Sequence, residues 1–217
     1  MRPMNRITQH TVRATLTGLA VAPLLLLGAA PLRADSREPA AIVEHFDNTL
    51  LAAMSGAKTL GYRGRYDLLE PVVNKTFDVP AMTRIAVGLG WAGLSESQKS
   101  RLTDAFGRFI TATFAERFDD FSGETFEVRG ATPISAGVLV ENHLVKPNGE
   151  HIRINYLTHQ TANGWEAFDV YLDGTISELA VRRSEFTSIL KQSGPEGLIA
   201  ALERKTQQLA MSPASQT

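Results

Sequence analysis

The sequence predicts an α+β domain: a curved four-stranded antiparallel sheet covered by helices and enclosing an apolar cavity. Three observations lead there. Apolar residues recur at helical spacing from Ile42 to Phe118, the period changes to two from Thr125 to Leu172, and helical spacing returns from Ser184. Helices that precede a bent antiparallel sheet cover one of its faces, and a cone built that way can hold a hollow.

Ile42, Val43, Phe46, Leu50 and Met54 define an amphipathic helix over residues 38–57, with Gly56 and Gly61 as stop signals. Tyr66, Leu69, Val73 and Phe77 suggest a shorter second helix, broken or shifted near Pro71. Asp78 can cap a third, with Pro80 accepted in its first turn and Gly88 and Gly90 ending it. Ser95-Glu96-Ser97-Gln98 fits a capping box, in which the serine and the glutamine each satisfy a free backbone donor. Leu102, Phe106, Phe109, Ile110, Phe114 and Phe118 follow it, so one helix face carries a stripe of large apolar groups. "FEVRGA", "GVLVENHLV", "HIRINYLTH" and "WEAFDVYL" then read as four strands in a meander. Asn148-Gly149 and Asn163-Gly164 are the turn signals, because both residue types accept positive φ cheaply. A helix from Ser184 turns Phe186, Ile189 and Leu190 inward. Gly194-Pro195 starts the last one, with Leu198, Ile199, Leu202 and Leu209 on its apolar side.

Residues 1–34 are set apart from this domain. Arg2, Arg6 and Arg13 precede the apolar run "LTGLAVAPLLLLGAA", and Ala34 offers a small residue for cleavage, which is the pattern of a secretory signal peptide. The remaining 183 residues suffice for one domain, residues 35–210, ending in a disordered tail at 211–217. Loss of four arginines and no acids moves the formal charge from −1 to −5, which gives no electrostatic reason to bind nucleic acid. Cysteine is absent, so neither disulfides nor a lipoprotein anchor is expected. The expected product is a free, soluble, exported monomer.

Little chemistry is visible. His143, His151 and His159 fall at intervals of eight, and three imidazoles could bind zinc. A two-residue Asn148-Gly149 turn would face Lys146 with His151 and His143 with Ile154, putting His143 and His151 on opposite sides. His151 and His159 share a face but stand about 26 Å apart at strand rise. That register excludes a metal, and no cofactor is expected. Asp169 or Asp173 could be the general base of a cavity enzyme, the main competing reading; a turn or edge aspartate is the plainer one, above all for Asp173 before Gly174. The phenylalanine stripe is ordinary core unless something other than protein fills the space beneath the sheet. In that case Val170 and Leu172, with Phe106, Phe109, Ile110 and Phe114, supply the wall of a ligand site. Met82, Ile85, Phe186 and Ile189 close it, and Arg182 and Arg183 stand at the rim, where arginine forks suit anionic headgroups.

"FDVPAMTRIAVGLGW", "LSESQKSRLTDAFGRFITATFAERF", "GWEAFDVYLDGTISELAVRRSEFTSIL" and "GPEGLIAALERK" together resemble the MlaC family, also called the toluene-tolerance auxiliary family, over residues 38–207. The resemblance implies a periplasmic carrier that holds lipid in a cavity between sheet and helices. It also implies passage of that lipid between an outer-membrane lipoprotein complex and an inner-membrane lipid transporter, with no catalytic residues. The junction after Leu172 departs from the usual family pattern. Gly174, Arg183 and Phe186 match it, the usual tyrosine is missing, and "ISELAVRRSEF" looks more like the hopanoid-associated HpnM branch. A hopanoid therefore stands beside phospholipid as the implied cargo.

Overall fold

The computed structural model describes residues 37–212; the expected signal peptide and all but the first two residues of the expected tail lie outside them. Helix α1 (Arg37–Ser55) is followed at once by α2 (Ala57–Thr76), with Gly56 between them. The second helix differs from expectation. It passes through Pro71 and bends instead at Gly61, whose φ of 57° only glycine adopts cheaply. Arg65, close in sequence to exposed Arg63, is buried: its Nε donates to the Ala115 carbonyl at 2.9 Å and ties α2 to the chain fifty residues on.

Helix α3 (Val79–Val87) starts as its sequence dictates, with the Asp78 carboxylate accepting the Ala81 amide at 2.9 Å and proline in the first turn. A 3₁₀ segment, Gly88–Gly93, leads to α4 (Glu96–Arg117). The capping box is formed in both directions: the Gln98 amide donates to Ser95 Oγ at 3.2 Å, and the Ser95 amide to Gln98 Oε1 at 3.0 Å.

The sheet is an open antiparallel meander in the order β1 (Thr125–Ile134), β2 (Gly137–Val145), β3 (His151–Thr161), β4 (Gly164–Leu172) and β5 (Ile176–Ser177). It therefore has five strands rather than four. Asp173 (φ 50°) and Gly174 (φ 76°) make a turn tight enough to fold two further residues back onto β4. Helix α5 (Glu178–Ala210) follows directly, six residues earlier than the sequence periodicity suggests, and the separate last helix expected from Gly194-Pro195 is its second arm, beyond a kink at Gly194.

The β2–β3 register is also corrected. Val145 pairs with His151 and His143 with Arg153, one residue away from the two-residue-turn reading. Pro147 cannot donate and favours the second position of a turn, so the turn runs Lys146–Gly149, closed by the Gly149 amide on the Lys146 carbonyl at 2.9 Å. Gly149 then takes φ 82°. The extra residue brings His143 and His151 to the same face, their ring centroids 5.6 Å apart. Even so, no three histidine or carboxylate side chains among the described residues are grouped to hold a metal ion. His159 lies elsewhere, with Nε2 2.9 Å from Asp78 Oδ2.

Helix α4 packs against α2, α3 and α5, while α1 lies on the sheet. Phe46 of α1 meets Phe114 of α4 edge-on at 4.9 Å and Phe77 at 5.2 Å, so an aromatic knot joins the helical layer to the strands.

Candidate functional site

The hollow lies between the phenylalanine face of α4 and the inner face of the sheet, with a volume of about 360 Å³. That falls within the ~300–1,000 Å³ usual for small-molecule pockets. Phe106, Phe109, Ile110 and Phe114 lie on one face of α4 because they recur at three- and four-residue intervals. The opposite wall comes from alternate residues of adjacent strands: Leu144 of β2, Ile152 and Ile154 of β3, Val170 and Leu172 of β4. Leu144 and Ile152 are direct partners, as are Ile154 and Leu172. A bulge in β4 at Phe168, where the pairing passes from Leu157–Asp169 to Thr158–Ala167, lies before Val170 and leaves it facing the hollow. Met54, Phe77, Met82, Phe118 and Leu179 complete the apolar lining.

The space survives although aromatic rings crowd it. Phe106 is held edge-on against Phe186 at 5.2 Å, and Phe114 is stacked with Phe77 at 5.8 Å. Rings locked to each other cannot swing in to fill the gap, and a dry apolar gap is stable only at the cost of lost contacts or when another apolar group occupies it.

None of the charged groups on the lining is buried, so they mark where the hollow opens to solvent. Arg117, Asp119, Asp120, Glu124, Lys146, Glu178 and Arg182 line the mouth of a cavity that is otherwise hydrocarbon apart from Thr113. An apolar body with charged groups where it opens to solvent is suited to bury hydrocarbon and leave a polar end in water.

The sequence matches the model of the MlaC protein family over residues 44–204. The chain belongs to the MlaC family. Among solved structures it is similar to a phospholipid-binding protein from Ralstonia solanacearum, determined in complex with a phospholipid, with a TM-score of 0.68 and 21% identity. The match covers 78% of this chain and 97% of that one and establishes the shared fold.

In this MlaC-family chain, the predicted residues Met82, Phe106, Phe109, Ile110, Phe114, Val170, Leu172 and Arg182 come together on the cavity. Ile85, Phe186 and Ile189 do not line it. Phe186 stands behind Phe106, and Ile85 and Ile189 pack at the edge of the core. Arg183 points away from the mouth, its guanidinium beside Gly88 at the end of α3. Arg182 lies over the Phe109 ring at 5.1 Å and is gripped by Glu178 at 3.4 Å and Glu185 at 3.0 Å. Burial alone would raise the Glu185 carboxyl, but hydrogen bonds and charge from Lys205 and Arg182 hold it below its ordinary value.

Neither Asp169 nor Asp173 is among the lining residues. Asp173 occupies the tight turn. The Asp169 carboxylate is buried and accepts from Ser177 Oγ (2.6 Å), the Val170 amide (2.8 Å) and the Leu179 amide (3.1 Å). Burial raises its pKa against the pull of these donors. It is a latch between β4 and the first turn of α5, where free amides and the helix dipole favour a carboxylate. Sequence reasoning missed Met54, Phe77, Phe118, Leu144, Ile152, Ile154 and Leu179. The strand residues alternate with outward polar neighbours, a signal that became usable only once the β2–β3 register was fixed.

Proposed function

We propose that this protein is a periplasmic lipid carrier, exported by the signal peptide at residues 1–34. It takes up the hydrocarbon of one lipid in the cavity and moves it between an inner-membrane lipid transporter and an outer-membrane lipoprotein complex, acting as a monomer. The observation that carries this reading is the apolar hollow of about 360 Å³ whose charged lining residues are solvent-accessible. Family membership supports it, and so does the phospholipid named for the similar Ralstonia protein. The junction residues "ISELAVRRSEF" add a hopanoid to phospholipid as candidate cargo.

Each buried methylene contributes ~0.8 kcal/mol, so a dozen carbons suffice for firm retention without a polar contact. Spontaneous escape into water is then slow, and release needs a partner that opens or competes for the hollow. No bond is made or broken in this cycle.

Native mass spectrometry and organic extraction of the purified mature chain test the reading: about one lipid per chain is expected for a cavity of this size. Ile110→Glu places a carboxylate against hydrocarbon, and the expected outcome is loss of the co-purifying lipid with helix content unchanged by circular dichroism. A folded variant that keeps its full load removes α4 from the wall.

A further inference from the structure

The cavity mouth has an uneven charge balance, and pairing within the protein makes it more uneven. Of its three cations, Lys146 is held by Glu150 at 3.0 Å, and Arg182 is shared between Glu178 and Glu185. Those two are neutralised by the protein itself. What remains at the opening is Arg117 against Asp119, Asp120 and Glu124. Glu124 accepts only the Ser122 amide, and Arg117, Asp119 and Asp120 make no ion pair or side-chain hydrogen bond among the described residues. A head group emerging from the hollow therefore meets an excess of two uncompensated negative charges.

Resting on the carrier reading, we infer that the mouth selects lipids whose polar head is uncharged or bears an ammonium group, and discriminates against heads of net negative charge. Arg182, expected from sequence to fork an anionic head, is already occupied by its two glutamates. Asp119 and Asp120 are the specificity-determining residues. A carboxylate at contact distance in water favours an ammonium over an anion by several-fold, and two of them reach about tenfold. Because the mouth is solvated, this preference fades as salt shortens the range of the charges.

The test uses vesicles containing equal amounts of phosphatidylethanolamine and phosphatidylglycerol with identical acyl chains, so the protein meets both heads on one surface. Lipid-free mature protein is incubated with them at low salt, reisolated, and its lipid identified by mass spectrometry. The expected result is an ethanolamine-to-glycerol ratio of about ten in the wild-type chain. In the Asp119→Asn/Asp120→Asn double variant the ratio falls to within about twofold of unity. Equal loading by the wild type, a preference for the glycerol lipid, or a ratio that the double variant leaves untouched overturns the inference while leaving the carrier intact. Failure of the wild-type chain to load either lipid overturns the inference and removes phospholipid as the cargo, while co-purifying lipid in the native preparation tests the carrier reading separately.

Discussion

Asp47 offers the sharpest test of how this fold is held together, because it is an acid buried where α1 meets the sheet. It is 3% exposed, and its Oδ1 accepts from Asn142 Nδ2 of β2 at 3.0 Å. Desolvation is the main cause that pushes its pKa from 3.8 to about 7; the Asn142 hydrogen bond works against this, and Glu44 adds to it. The folded state therefore holds the proton more tightly than the unfolded chain. Stability is highest below about pH 4, falls as pH rises toward 7, and is level beyond, because above 7 the carboxylate is charged in both states. At about 1.4 kcal/mol per pH unit the full span is about 4 kcal/mol, and relaxation with water entry leaves ~2 kcal/mol as the expected effect. Asp47→Asn removes the charge and keeps the acceptor for Asn142. Asn142 Oδ1 and the Tyr156 hydroxyl are buried without hydrogen-bond partners among the described residues. The variant is expected to melt about 4–8 °C above the wild type at pH 8, with the difference vanishing near pH 4. His143, whose pKa burial and then the charge of Arg129 lower, contributes the opposite trend, favouring the folded state as pH rises. Both proteins carry it, so the difference between their melting curves isolates Asp47. A gain of equal size at every pH, or a less stable variant at pH 8, would refute the desolvation account.

Two further substitutions probe the frame around the hollow. Asp169→Ala leaves three donors unanswered at the β4–α5 junction and should destabilise by ~2–4 kcal/mol, with faster amide exchange over residues 177–181; unchanged exchange there would deny the latch. Gly137 starts β2 at φ 152°, where an added Cβ would lie 2.1 Å from the Thr158 carbonyl oxygen. Gly137→Ala is therefore expected to cost ~3 kcal/mol or more, seen as a lowered urea midpoint, whereas Gly149→Ala, with nothing near its Cβ, pays only for its backbone angle.

What could be read from the chain before folding divides along a physical line. Features set by neighbours in sequence were legible: the Ser95–Gln98 box places the start of α4, Asp78 caps α3, and Gly194-Pro195 bends α5. Features set by distant partners were not. Ser177 caps α5 alongside a carboxylate eight residues upstream, so periodicity alone started that helix too late. Pro71 stays inside α2 where its ring ordinarily breaks a helix. A single proline before Asn148-Gly149 shifted the β2–β3 pairing, and with it concealed both the Leu144–Ile152 pair of the wall and the meeting of His143 with His151. The same limit governs the cavity. Spacing identifies Phe106, Phe114 and Phe186 equally as inward-facing, yet the first two border the hollow while Phe186 is spent holding Phe106 in place. Whether an apolar face meets protein or empty space depends on how rings from α1, α4 and α5 brace one another, and that is a property of the assembled layers rather than of any one helix.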